Sequence, residues 1–396
     1  MTSDLFPAFS QKGAQGQVAP FTRFGALHKL KVNVRQENSD TSAYFEHMRT
    51  ELLAGAADVD VFAGDVSWPP QFASQGYLAD LSGRFTAAER AAYLPATIDS
   101  NVWNGKVYGV PFFTDVGLLY YRKDLLERAG YSAPPQTWSE LQEMASKVMR
   151  DQKIKYGFTF TGANYEGGTL LGTEFIKTAG GSVIDGTTVA ANSPQAIEGL
   201  TIARSMITRG IAPQAVADYQ EGDAEAPFIG GYSVFLRNWA YVFGDINNPK
   251  MSKIHPSQVG VTSIPRASTA VPPVNVGGGW NLYIPASSTN QDAAWKLIQF
   301  ISSAAQQKYT NETIGYLPTR TALYSDPALA KDSPVLAVAK TEIAQTITPP
   351  KNPYYKDMSA VMAAQFNANL RGAQTPTQTA DNVQNALEAI VKKSPA

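Results

Sequence analysis

The chain is 396 residues long, 44% hydrophobic and 11% aromatic, with a formal net charge of −1 and no cysteine. That length exceeds what one hydrophobic core serves, about 250–300 residues, and points to two lobes. A near-neutral chain with no run of Lys or Arg lacks the electrostatic footprint of a nucleic-acid or anionic-membrane binder, and the missing thiols exclude disulfides, thiolate catalysis and Cys-based zinc sites. No apolar run approaches about 18 residues and no signal peptide precedes Ser3, so the chain reads as soluble, with any export signal or lipid-bearing Cys cut away.

In chain order, residues 1–30 offer scattered Gly, Gln and Pro and one short strand near 18–24. Lys31-Val32-Asn33-Val34 reads as a strand, after which Asp40 or Thr41 caps a helix with Tyr44, Met48 and Leu52 on one stripe, closed by Gly55. Residues 58–64 return as a strand that delivers Asp65 to its C-terminal end, where open α/β sheets bind ligands; the other reading of Asp65 is a helix N-cap. A helix over 71–78 follows, then a hairpin turning at Asn104-Gly105. Phe112-Phe113-Thr114-Asp115 leads to a strand at 118–121 and a short helix at 123–129. Thr137 or Ser139 caps the next helix, 157–160 is a strand, 164–168 is a polar loop fit to line a cleft, and 174–178 is helical. Ser193-Pro194 starts a helix to Ile207 by the cap-then-proline rule. Glu221-Gly222 precedes a helical stretch, 232–236 is a strand ending at Asn238-Trp239, and 259–265 is a strand. One amphipathic helix spans 292–309, Leu317 to Arg320 is extended, and helices fill 335–345, 357–371 and 376–392. Strands alternating with helices predict a parallel-rich α/β architecture.

The most distinctive stretch is Val276-Gly277-Gly278-Gly279-Trp280-Asn281-Leu282-Tyr283-Ile284-Pro285. Its glycines allow close backbone approach to a ligand and its indole offers a flat stacking face, anchored by a strand at 282–284; a glycine turn beside a core Trp would look the same. Matched catalytic groups are scarce. His28, His47 and His255 sit in unrelated contexts with no metal-ligand spacing, and no nucleophile elbow or P-loop is present, so no metal, cofactor or enzymatic activity is expected. Asp65, Asp115 and Glu221 could pair as glycosidase carboxylates or simply accept hydrogen bonds from sugar hydroxyls.

Five passages together resemble the extracytoplasmic solute-binding proteins of carbohydrate ABC importers, the class of maltose- and trehalose-binding proteins. They are residues 54–61, Asn104-Gly105-Lys106-Val107-Tyr108-Gly109-Val110-Pro111, Leu119-Tyr120-Tyr121-Arg122-Lys123-Asp124-Leu125, Gly277-Gly278-Gly279-Trp280-Asn281-Leu282 and Gly315-Tyr316-Leu317-Pro318-Thr319-Arg320. The trehalose-binding lipoproteins are particularly similar, in Asp65-Val66-Ser67-Trp68, Asn238-Trp239 and Pro318-Thr319-Arg320. The resemblance implies a two-lobed periplasmic-binding-protein-like α/β fold of type II, each lobe a mostly parallel sheet flanked by helices, with a hinge. Lobe 1 is expected at 1–112 and 263–314, lobe 2 at 113–262 and 315–396. It implies a monomeric carrier, lipid-anchored as a precursor outside the cytoplasm, that closes over a sugar such as trehalose or maltose and delivers it to permease subunits. Carried over by position, the sugar contacts fall on Asp65, Asp115, Glu221, Trp239, Gly278, Trp280 and Arg320. Two features depart from the family. About six residues separate Phe24 from the 31–34 strand, too few for the family's first helix, so that helix is expected to be missing or the N-terminus altered. Asp115 stands where trehalose binders tend to carry an amide. The rivals are the same fold taking a charged sugar derivative or polyamine, with Arg122 and Arg320 suggesting an anion and Asp65 with Asp115 a cation, or a glycoside-active enzyme.

Overall fold

The computed structural model describes residues 1–5, 11–37, 40–55, 59–185 and 188–393. Asp58 of the expected 58–64 strand lies outside them. The chain divides into two compact units, each assembled from separated segments: 1–115, 278–337 and 349–355 in the first, and 116–277, 338–348 and 356–396 in the second.

In the first unit the strand Thr2–Leu5 lies between Asn33–Gln36 and Val61–Asp65, parallel to both. Asn275–Tyr283 joins on the other side of Val61–Asp65, antiparallel, with Trp280 opposite Asp65 and Tyr283 opposite Phe62. In the second unit the order is Val259–Thr262, Leu118–Arg122, Ser233–Asn238, Tyr156–Thr159. Only the pairing of Ser233–Asn238 with Tyr156–Thr159 is parallel there, so a mostly parallel sheet is not what forms. In the second unit Leu118–Arg122 runs opposite to both its neighbours, and in the first Asn275–Tyr283 runs opposite to Val61–Asp65; each is next to a passage of the chain between units, Leu118–Arg122 following the one at 115/116 and Asn275–Tyr283 containing the one at 277/278.

The N-terminus differs from expectation. Residues 18–24 are not a strand, because Gln11–His28 is a helix, with Phe21 and Phe24 buried one turn apart and the Phe24 ring 5.6 Å from Phe300. The opening strand and helix of the family are therefore both present; the sequence hid them because Pro20 and three glycines lie in or beside the helix. The stripe of the next helix is as expected, with Asp40 capping Thr41–Leu53 and Tyr44, Met48 and Leu52 buried. Glycines misled elsewhere. Gly167 and Gly168 belong to the helix Glu166–Thr178 instead of a loop, and the glycines of 277–279 lie inside a nine-residue strand. The single helix expected at 292–309 is two, Gln291–Ile301 and Ala304–Ile314, because Ser303 caps a new start.

The boundaries also fall elsewhere than 112/113, 262/263 and 314/315. Residues 263–277 pack in the second unit, where Ser263 Oγ donates to Glu342 Oε1 at 2.7 Å and Trp138 N donates to Arg266 O at 2.9 Å. Residues 315–337 pack in the first, where Tyr316 stacks on Phe113 at 3.9 Å and Thr114 N donates to Leu317 O at 3.1 Å.

Candidate functional site

In the first unit, Asp65 closes its strand and its carboxylate folds back on the next turn, Oδ1 accepting from Ser67 N at 2.9 Å and Ser67 Oγ at 2.6 Å. This turn aims the chain into the helix Pro69–Ser74, whose N-cap position is taken by Trp68, so Asp65 orders a turn and does not cap the helix. Trp280, opposite Asp65, is nearly buried. One face of its indole stacks on Tyr44 at 5.9 Å and 15°, and Trp68 meets it edge-on at 5.9 Å. Trp68 itself belongs to the core, packed edge-on against Tyr44, Phe45 and Phe72. Beside Trp280, a Cβ on Gly278 would meet nothing within 4 Å, whereas Gly279 has φ +139° and a Cβ there would lie 2.7 Å from Phe113 O. Gly279 is a glycine by backbone necessity; Gly278 borders open space. Asp115 is buried near the end of Gly109–Val116, and its charge adds to burial in pushing the Tyr324 hydroxyl well up from its ordinary value.

Arg320 also lies in the first unit, so Asp65 and Arg320 are not on opposite units. Its Nε donates to Ser302 O at 2.7 Å, its Nη2 to Tyr93 Oη at 3.0 Å, and the guanidinium lies 4.5 Å from the Tyr93 ring centre. The strap 317–320 is held by these bonds and by Gln307, whose Oε1 accepts from Thr319 N and Arg320 N.

In the second unit, Glu221 opens the helix Glu221–Ile229 and Trp239 follows the strand Ser233–Asn238. The structure joins them: Trp239 Nε1 donates to Glu221 Oε1 at 3.4 Å, Asn238 Nδ2 donates to Glu221 O at 3.0 Å, and Tyr165 Oη donates to Glu221 Oε2. Gly167 is small because of this contact, since a Cβ there would lie 2.3 Å from Tyr165 Oη. Burial raises the Glu221 carboxyl above its ordinary value, and the hydrogen bonds from Tyr165 and Trp239 oppose the shift. One turn along the helix, burial and the neighbouring Asp245 push Glu225 well up, and burial with Glu225 does the same to Tyr241. The second unit thus gathers two tyrosines, Tyr165 and Tyr241, and three carboxyls, Glu221, Glu225 and Asp245, close enough to feel one another's charge, with Trp239 bonded to Glu221.

Sequence reasoning missed Tyr165, Glu225, Tyr241 and Asp245. Glu225 was within reach, because it stands four residues after Glu221 on the same helix face. Tyr165 carried no signal, as it arrives from 56 residues away. Arg122, which suggested an anionic ligand, is engaged bidentately by Asp124 at 2.8 Å on both bonds. The three histidines are exposed, and among the described residues no group of three or more His, Asp or Glu is arranged to hold a metal ion.

Two α/β units built from interleaved segments define a two-lobed solute-binding fold. Maltose-bound MalE3 of T. maritima superposes with a TM-score of 0.93 at 32% identity, over 98% of this chain and 100% of that one. The α-D-tagatose-bound solute-binding protein of an ABC transporter from Thermotoga lettingae gives 0.86 at 25% identity, over 98% and 99%. A protein of Deinococcus radiodurans named "Probable ABC transporter-binding protein" is 36% identical over 309 residues, covering 76% of this chain and 72% of its own. Residues 10–308 match the family described as bacterial extracellular solute-binding protein, and the chain belongs to that family. Membership places it outside the cytoplasm, and no helix of the described residues is long and apolar enough to cross a membrane.

Proposed function

We propose that this protein captures a neutral sugar, with a maltose- or trehalose-type disaccharide as first candidate, and passes it unchanged to the permease subunits of an ABC transporter. It does so as a monomer, held at the membrane by a lipid anchor in its precursor. The observation that carries the reading is a repeated chemistry: Trp280 beside Asp65 in the first unit and Trp239 bonded to Glu221 in the second each pair an aromatic face with a carboxylate. Sugars ask for this combination. Their apolar C–H faces stack on indole for about 0.5–1.5 kcal/mol beyond area burial, and a hydrogen bond to a charged group adds about 1.5–3 kcal/mol. Asp115 and Gly278 complete the proposed contacts, with Arg320 holding the strap behind them. The likeness to a maltose-bound protein at 32% identity supports the choice of sugar.

An anionic ligand is disfavoured, because Arg122 and Arg320 are committed to partners within their own units. Titration calorimetry with maltose, trehalose, α-D-tagatose, a sugar phosphate and a polyamine, at low and high salt, tests the reading. Salt-independent binding of a neutral sugar that is recovered intact supports it. Salt-sensitive binding of only a charged ligand, or cleavage of the sugar, overturns it.

A further inference from the structure

The second unit contains a buried ion pair that none of the proposed contacts requires. Glu174, on the helix Glu166–Thr178, and Arg237, on the strand Ser233–Asn238, have side chains 1% and 2% exposed. They meet in parallel hydrogen bonds, Nε to Oε1 at 2.8 Å and Nη2 to Oε2 at 2.7 Å. On one side the guanidinium lies 4.1 Å from the centre of the Trp239 ring. On the other, Glu174 Oε2 accepts from Val276 N at 3.1 Å, and Val276 O accepts from Gly117 N at 3.1 Å. Gly117 packs against the pair so closely that a Cβ would stand 2.3 Å from Glu174 Oε2 and 2.6 Å from Arg237 Nη2. Gly117 and Val276 stand beside two of the five places where the chain passes between units, 115/116 and 277/278.

One ion pair therefore touches the indole at one end and, at the other, the two passing segments at 115/116 and 277/278. Stability alone does not explain it, because apolar residues of equal volume usually serve a buried site as well or better. Geometry does explain it: the planar fork of Arg bonds a carboxylate twice while its charge stands over an indole, and a carboxylate that takes both bonds has acceptor capacity left for a backbone amide. We propose that Glu174 and Arg237 are positioning residues that hold the Trp239 ring and the two passing segments in a single register, so that a ligand on the ring is felt where the chain changes units. Coupling of this kind is reciprocal, so a change at the passing segments alters the ring as well. The ligand half of the statement rests on Trp239 being a sugar contact; the register does not.

The test uses the full-length, 15N-labelled protein without ligand and follows the Trp239 indole resonance together with the Gly117 and Val276 amides. Arg237→Lys keeps the charge and loses the fork, Glu174→Gln loses one acceptor, and Gly117→Ala presses on the pair from the far end. Trp239→Phe, the mildest change, is read at the two amides alone. The expected result is that Arg237→Lys, Glu174→Gln and Gly117→Ala move all three signals while the Trp280 indole stays at its parent position, and that Trp239→Phe moves both amides. Should Arg237→Lys or Glu174→Gln fail to fold, Gly117→Ala and Trp239→Phe decide. Movement confined to one end, whichever end is perturbed, overturns the proposal. Maltose titration then tests the coupling: Arg237→Lys should bind at least tenfold more weakly than the parent, and parent-level affinity overturns the ligand half. If the parent binds no sugar, the functional reading fails and the ligand-free spectra still decide the register.

Discussion

Gly278 and Gly279 are neighbours in one strand, yet they should respond to substitution in opposite ways. At Gly278 an added methyl meets nothing within 4 Å. Gly278→Ala should leave the folded state untouched and restrict the unfolded chain, changing stability by between zero and a gain of about 1 kcal/mol. At Gly279, φ is +139° and the methyl would sit 2.7 Å from Phe113 O and 3.0 Å from Thr114 Cα, both backbone atoms that cannot swing aside. The disfavoured backbone costs about 1–3 kcal/mol and the overpacking about 1–3 more, so Gly279→Ala should lose about 2–6 kcal/mol. Urea unfolding at constant slope reads this difference as a shift in midpoint. Gly278→Leu then separates fold from function: it should fold within about 1 kcal/mol of the parent and bind maltose at least tenfold more weakly, a loss of about 1.4 kcal/mol or more. Parent-level binding by a folded Gly278→Leu would refute the placement of ligand beside Gly278. An unchanged midpoint for Gly279→Ala would refute the backbone argument.

Trp280→Ala should cost about 3–5 kcal/mol in urea unfolding, because the ring is nearly buried and stacked on Tyr44, whereas Trp280→Phe should keep most of that stability. Arg320→Ala should lower stability by up to about 3 kcal/mol through its bonds to Ser302 and Tyr93, discounted for the partial exposure of the side chain, and change maltose affinity less than threefold; a tenfold affinity loss at full stability would make Arg320 a contact after all. For Glu225 the folded carboxyl lies well above the ordinary value of 4.5, raised by burial and by Asp245. Its protonated form favours the folded state, so that stability is fully present below pH 4.5 and is lost as pH rises through the folded value. Glu225→Gln should therefore gain thermal stability relative to the parent as pH rises above 4.5, and a pH-independent difference would contradict the assignment.

The parts of the fold that were legible are those written in local periodicity and caps. Tyr44, Met48 and Leu52 mark a stripe, Asp40 a cap, and Asn104-Gly105 a hairpin turn with φ values of 47° and 75°. What escaped was set by tertiary packing. Glycine at 167, 168 and 277–279 reads as a loop signal, but at 167 and 279 it is there because Tyr165 and the Phe113 carbonyl come too close for a side chain. The site divided the same way. Asp65, Glu221 and Trp239 stand at element ends that a sequence can locate, whereas the Tyr165 hydroxyl on Glu221 and the Asp245 carboxyl near Glu225 depend on long-range closure. Arg320 falls on the second lobe in the division expected from the resemblance, and the stacking of Tyr316 on Phe113 keeps that segment in the first unit.

The interleaving of the units has a consequence for synthesis. The first unit draws on 1–115 but also on 278–337 and 349–355, so its last strip of chain is made only when residue 355 of 396 has been added. At about 5–20 residues per second, some tens of seconds separate the first segment from the last. For that interval the N-terminal strands are a sheet without the neighbour that supplies Trp280, and the nascent protein stays incompletely folded until almost the whole chain exists. A polypeptide with this layout is suited to being moved while still extended and folded on arrival.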